Sequence, residues 1–234
     1  MEKKSIIKAV NITKKYRSGG VPFTALNDVS IEVFQNEFLM ITGRNGSGKS
    51  TLLHQFALLD TPDEGEIYIE GKKTTHLSEK KRMDFRLSRL GYIFQEYALI
   101  AELTVIENVM LPAMMLESSK SAKKKATELL TKIGLKNKFN RLPSQLSGGE
   151  QQKVAIARAL INKPKIIFAD EPTANLDTIA SKEVLNIFKY LNKLEGITIV
   201  MITHEPEELV FASRIIQLSD GRIKSWDNFS YPSI

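Results

Sequence analysis

The sequence predicts an α/β fold: strands and helices alternate around a phosphate-binding loop, with a mainly helical insertion at roughly 96–161. Three observations predict it. Gly43, Arg44, Asn45, Gly46, Ser47, Gly48, Lys49, Ser50 and Thr51 fit G-x-x-x-x-G-K-[ST], between an apolar run at 38–41 and a helix-forming stretch at 51–56. The run 165–169, apolar from Ile166 on, ends in adjacent acids, Asp170 and Glu171. The β-branched run 197–202 ends at Thr203 and His204, after a stretch in which Val184, Ile187, Phe188, Leu191 and Leu194 share one helix face.

In chain order, residues 6–10 read as a first strand. Tyr16 follows in a basic turn containing Gly19 and Gly20. Val29, Ile31 and Val33 alternate with polar residues, as in a half-buried strand, and Asn36 and Glu37 turn the chain into the strand before the loop. The helix after the loop ends near Leu59, where Pro62 and Gly65 break it. Residues 66–70 alternate again, 78–87 read as a charged helix, and 91–95 as a short strand ending in Gln95. Thr104 and Glu107 form a capping box, as do Ser147 and Glu150. Between them Ala126, Leu129, Leu130 and Ile133 line a helix face that Gly134 terminates. Asp220 and Gly221 join two final strands as a hairpin turn, and the tail aromatics Trp226, Phe229 and Tyr231 carry no signal.

Composition narrows the function. A chain of 234 residues, 42% hydrophobic and 26% charged, suits one large globular domain. Without cysteine it has no disulfide, thiol nucleophile or thiolate metal site, and three scattered histidines argue against zinc. No apolar run reaches the roughly 20 residues of a membrane span, and the start lacks the apolar centre of a signal peptide, so a cytoplasmic location is expected. The net charge of +6 reads as solubility. The densest basic run, Lys120, Lys123, Lys124 and Lys125, has no interleaved aromatics and reads as a solvated helix face rather than a nucleic-acid surface.

The candidate site residues follow from the chemistry of phosphate. Glycines let the loop backbone wrap a phosphate and aim N–H groups at it, and the new helix adds its positive dipole end. Lys49 supplies a point charge, and the Ser50 hydroxyl suits Mg²⁺. Asp170, ending a buried strand, is a second- or first-sphere Mg²⁺ partner, and Glu171 is placed to act as general base on an attacking water. Gln95 and His204, at strand ends, are candidates for Mg²⁺, water or γ-phosphate contact. Ser147, Gly148 and Gly149 open a helix whose N-terminus is an anion site. A chain that already has a phosphate loop gains a second anion site, which suggests a nucleotide shared between two chains.

In order and spacing, residues 43–51, Gln95, Leu146 to Gln152, 166–171, Asn175-Leu176-Asp177 and His204 resemble the ATPase subunit of an ABC transporter over nearly the whole chain. Leu146-Ser147-Gly148-Gly149 is the most specific of these. The segments 57–62, 103–112 and 143–146 look like the macrolide-exporter and lipoprotein-releasing branch, which includes antimicrobial-peptide resistance systems. The resemblance implies a single domain over 1–234 of phosphate-loop NTPase type, with an N-terminal antiparallel β-subdomain and a helical subdomain. It implies that Tyr16 stacks on adenine, Ser50, Gln95 and Asp170 serve Mg²⁺, Glu171 is the base and His204 contacts the γ-phosphate. Ser147, Gly148 and Gly149 would complete the partner's site, with Asp177 near the dimer interface. ATP and Mg²⁺ are the implied ligands. Two copies would close around two ATP and drive separate integral-membrane permease subunits, with the chain peripheral on the inner face of the cell membrane. A cell-division-type regulator that moves no solute is the alternative; a soluble nucleic-acid ABC protein ranks last. Arg44, Lys153, Ala174 and Asn36 depart from the pattern without removing a catalytic group.

Overall fold

The computed structural model describes residues 4–227; Phe229, Tyr231 and the first three residues lie outside it. Two sheets form the frame. An antiparallel sheet orders β2-β1-β4-β5 from β1 (Ser5–Ser18), β2 (Val21–Phe34), β4 (Glu64–Ile69) and β5 (Lys72–Lys73). A six-stranded sheet orders β10-β9-β3-β8-β7-β6, from β3 (Phe38–Thr42), β6 (Leu90–Ile93), β7 (Ile166–Asp170), β8 (Thr198–Ile202), β9 (Arg214–Ser219) and β10 (Arg222–Asp227). Its strands run parallel except for the β9–β10 hairpin.

Burial explains why the parallel strands read as continuous apolar runs. Leu39, Ile41, Ile166, Phe168, Val200 and Ile202 face one core, shared with the antiparallel sheet and helix α1 (Lys49–Phe56). Their neighbours Phe38, Met40, Ile167, Ala169, Ile199 and Met201 face a second, against α5 (Gly148–Leu160) and α6 (Thr178–Lys193). A third core lies between α3 (Val105–Met114), α4 (Ser119–Lys132) and the other flank of α5. Helix α2 (Glu79–Arg89) buries no residue of its own and is pinned by Arg82 and Arg86, which both donate to the Leu58 carbonyl.

Both capping boxes form as the sequence predicts, at Thr104 with Glu107 and at Ser147 with Glu150. Three expectations are corrected. Tyr16 lies in strand β1, not in a turn: Asn11, at φ 49°, and irregular pairing after Ala9 break the alternation, yet the strand continues to Ser18. Helix α1 starts at Lys49, so Lys49 and Ser50 sit in its first turn. Leu194 is 74% exposed, because α6 ends at Lys193 and its apolar face ends with it. Asn36 turns the chain at φ 59°, a left-handed conformation that Asn tolerates.

Candidate functional site at the strand ends

Parallel strands place their C-terminal ends on one edge, and residues 43–51, Asp170, Glu171 and His204 gather there. Leaving β3, the chain turns at Gly43 with φ 143° and enters α1 through Gly48 with φ 103°. A Cβ at Gly43 would lie 2.3 Å from the Leu218 carbonyl oxygen, and one at Gly48 2.4 Å from that of Ala25. Any side chain there would push the loop off the sheet, so glycine is required. Lys49 is 5% exposed and folds back over the loop, its Nζ donating to the carbonyls of Gly43 at 3.0 Å and Arg44 at 3.2 Å. The buried Ser47 Oγ has no hydrogen-bond partner among the described residues.

Strand parity aims the first acid. Asp170 lies two residues past Phe168, hence on the face that packs against α1, and its Oδ1 accepts from the Ser50 hydroxyl at 3.3 Å. Burial raises the pKa of Asp170 above the usual carboxylate value, with Glu171 adding to it, while Ser50, His54 and Lys49 act in the opposite direction. A hydroxyl and a desolvated carboxylate in contact beside a phosphate loop fit Mg²⁺. That ion takes one or two protein oxygens, substrate phosphates and waters, so it needs no cluster of three acids, and no such cluster occurs among the described residues.

Glu171 leaves the sheet at φ 44°, a left-handed conformation costly for a residue with a side chain, and its N–H donates to the Ile202 carbonyl. This kink turns its carboxylate to 3.4 Å from His204 Nδ1, while His204 Nε2 lies 3.1 Å from Glu205. An acid and an imidazole from adjacent strands thus face one point at the mouth of the loop.

The other candidates sit around this centre. Tyr16 donates to Asp60 at 2.7 Å, and the Lys14 ammonium lies 5.2 Å from its ring centroid. Burial, then the hydrogen bond to Asp60, pushes the Tyr16 phenol up to about 12. Gln95 is exposed, two residues past β6, and its carbonyl accepts from Asn175 at 3.3 Å. Asp177 caps α6, accepting from the N–H groups of Ile179 and Ala180. No hydrogen bond or ion pair among the described residues joins Ser147, Gly148 or Gly149 to residues 43–51. A Cβ at Gly148 would instead meet Tyr97, Leu176 and Asn175.

Sequence reasoning misses three contributors. Asp60 holds Tyr16 and Lys14 from 44 and 46 residues away. Tyr92 has a buried hydroxyl and a phenol pushed up by burial and then by the Asp170 charge. Arg158 grips the loop after Gln95. Each depends on pairing between distant segments, and no local pattern marks it.

A family model described as ABC transporter matches residues 26–174. An ABC transporter ATP-binding protein of Methanocaldococcus jannaschii is 51% identical over 93% of this chain and 97% of its own length. The lipoprotein-releasing system ATP-binding protein LolD of Aquifex aeolicus is 44% identical over 93% of this chain and 96% of its own. The macrolide export ATP-binding/permease protein MacB of Chlorobaculum tepidum is 44% identical over 92% of this chain, which spans 33% of that longer protein. Among solved structures, the dimeric post-hydrolysis state of the ATP-binding cassette MJ0796, bound to ADP and Pi, matches with TM-score 0.89 and 40% identity, over 95% of this chain and 98% of that one.

Proposed function

The chain belongs to the ABC transporter family, as an ATP-hydrolysing subunit of the LolD and MacB type, and from that premise we propose how it works and with what. Two copies close head to tail around two ATP molecules. Each ATP lies on one copy's residues 43–51 and is covered by the other copy's Ser147, Gly148 and Gly149. The observation that carries this reading is the position of the α5 N-terminus, which no hydrogen bond or ion pair joins to its own phosphate loop among the described residues. That helix end offers N–H groups and a positive dipole to an anion.

Within each site, Lys49 and the loop N–H groups hold the phosphates, and Ser50 with Asp170 would hold Mg²⁺. Bound there, the ion would neutralise charge on the phosphate chain. Glu171 accepts a proton from the attacking water as its oxygen bonds to the γ-phosphorus and the bond to the ADP oxygen breaks. His204, facing Glu171, keeps the water and γ-phosphate in line, and Gln95 reports on the same group. Tyr16 supports the adenine, its hydroxyl held by Asp60. No helix among the described residues is long and apolar enough to cross a membrane. The dimer works from the inner membrane face on separate permease subunits of the exporter, lipoprotein-releasing or peptide-resistance kind.

Ser147→Arg tests the shared site. A bulky cation at the α5 N-terminus should abolish Mg²⁺-dependent ATP hydrolysis, while ATP binding to the monomer, followed by calorimetric titration, stays near wild type. Wild-type turnover by this variant would refute the arrangement.

A further inference from the structure

The segment after Gln95 is held in a costly conformation. Tyr97 and Ala98 are adjacent, neither is glycine, and both have positive φ, 60° and 48°. The Ala98 N–H closes a tight turn onto the Glu96 carbonyl at 2.5 Å, and the Tyr97 N–H reaches the Phe94 carbonyl at 3.2 Å. Consecutive left-handed residues with side chains persist only where the surroundings impose them.

Arg158 of α5 is what imposes them here. Its Nη1 donates to the Ala98 carbonyl at 2.5 Å and its Nη2 to the Tyr97 carbonyl at 2.7 Å. The planar guanidinium fork thereby fixes two successive peptides together through two donors held in one rigid plane, where an ammonium is a point charge on a flexible stem. No carboxylate pairs with Arg158 among the described residues. A second tether comes from the segment before α6: Asn175 Nδ2 donates to the Gln95 carbonyl at 3.3 Å, and its own carbonyl lies 3.5 Å from the Tyr97 hydroxyl. A Cβ added at Gly148 would lie 3.0 Å from that hydroxyl. The segment 95–98 therefore touches both α5 and the turn before α6.

We propose that Arg158, with Asn175, is a positioning residue for the Gln95 side chain, holding the 95–98 segment in its left-handed turn and locking it to α5. The proposal rests on the reading of Gln95 as a group of the nucleotide site. Arg158 never reaches the nucleotide; it acts through the segment it clamps. Without the clamp, Tyr97 and Ala98 relax to ordinary backbone angles, and Gln95 loses its fixed place at the strand ends. Ground-state ATP binding, which relies on Lys49 and the loop N–H groups, is unaffected.

The test is a double-mutant cycle on steady-state ATP hydrolysis. Arg158→Met should lower kcat at least tenfold with KM for ATP within about twofold of wild type. Arg158→Lys, which keeps the charge but loses the rigid fork, should fall between. In a Gln95→Ala background, Arg158→Met should cost less than about twofold more, because the positioned side chain is gone. Full independent losses in the double variant would overturn the proposal, as would unchanged kcat in Arg158→Met. Should Arg158→Met fail to fold, Asn175→Ala, at an exposed residue, carries the same cycle, with a smaller loss in kcat that vanishes in the Gln95→Ala background. The reading of Gln95 fails separately, by wild-type turnover of Gln95→Ala alone.

Discussion

At the scale of single residues, the site is a set of groups that cost the fold something. Lys49 is buried against two carbonyls, Glu171 occupies a left-handed kink, and Asp170 holds a half-buried carboxylate. Asp170 makes the cost measurable. Its pKa is raised in the folded chain, so the native state favours the protonated acid. Its stabilising contribution is complete below the unfolded value of about 3.9 and disappears as pH rises through the folded value, leaving a penalty at neutral pH. Asp170→Asn should therefore raise the melting temperature of the nucleotide-free protein at pH 7, and the gain should shrink as pH is lowered to 4.5. Thermal unfolding at the two pH values checks this; a lower melting temperature for the variant at pH 7 would contradict it. Lys49, Ser50, Asp170 and Glu171 are legible in the sequence because each lies within a few residues of the pattern that marks it. Asp60 is not: it reads as part of a helix-breaking turn until β1 brings Tyr16 and Lys14 beside it.

At the scale of elements, local chemistry sets the ends and long-range pairing sets the rest. The helix starts at Thr104 and Ser147 are readable because a capping box spans only four residues. Strand β1 is only half readable: the irregularity at Asn11 breaks its period, and Lys14, buried against Asp60, stands where alternation gives no warning of a buried cation. The start of α6 carries a stability prediction. Asp177 accepts two backbone N–H bonds there, so Asp177→Ala should cost about 1 kcal/mol, as for other lost N-caps. Urea denaturation of the nucleotide-free chain would show the midpoint falling with its slope unchanged; an unmoved midpoint would mean the cap contributes nothing.

At the scale of the whole molecule, strand order cannot be read from a linear pattern. Strand β3 lies between β9 and β8, so the phosphate loop sits beside strands that arrive some 160 residues later. Only this order brings Ser50 against Asp170 and Glu171 against His204. The same fold leaves the α5 N-terminus without a bond to its own loop, and so carries the central claim that two chains build each site. Glu171→Gln tests that claim most directly. Glutamine keeps the shape but cannot take the proton, so hydrolysis should slow by about 100-fold or more, while Lys49, Ser50 and the loop N–H groups still bind ATP. ATP should then persist between two copies. Size-exclusion chromatography with light scattering should find this variant monomeric with ADP and dimeric with ATP. A slow variant that stays monomeric at saturating ATP would contradict the shared site.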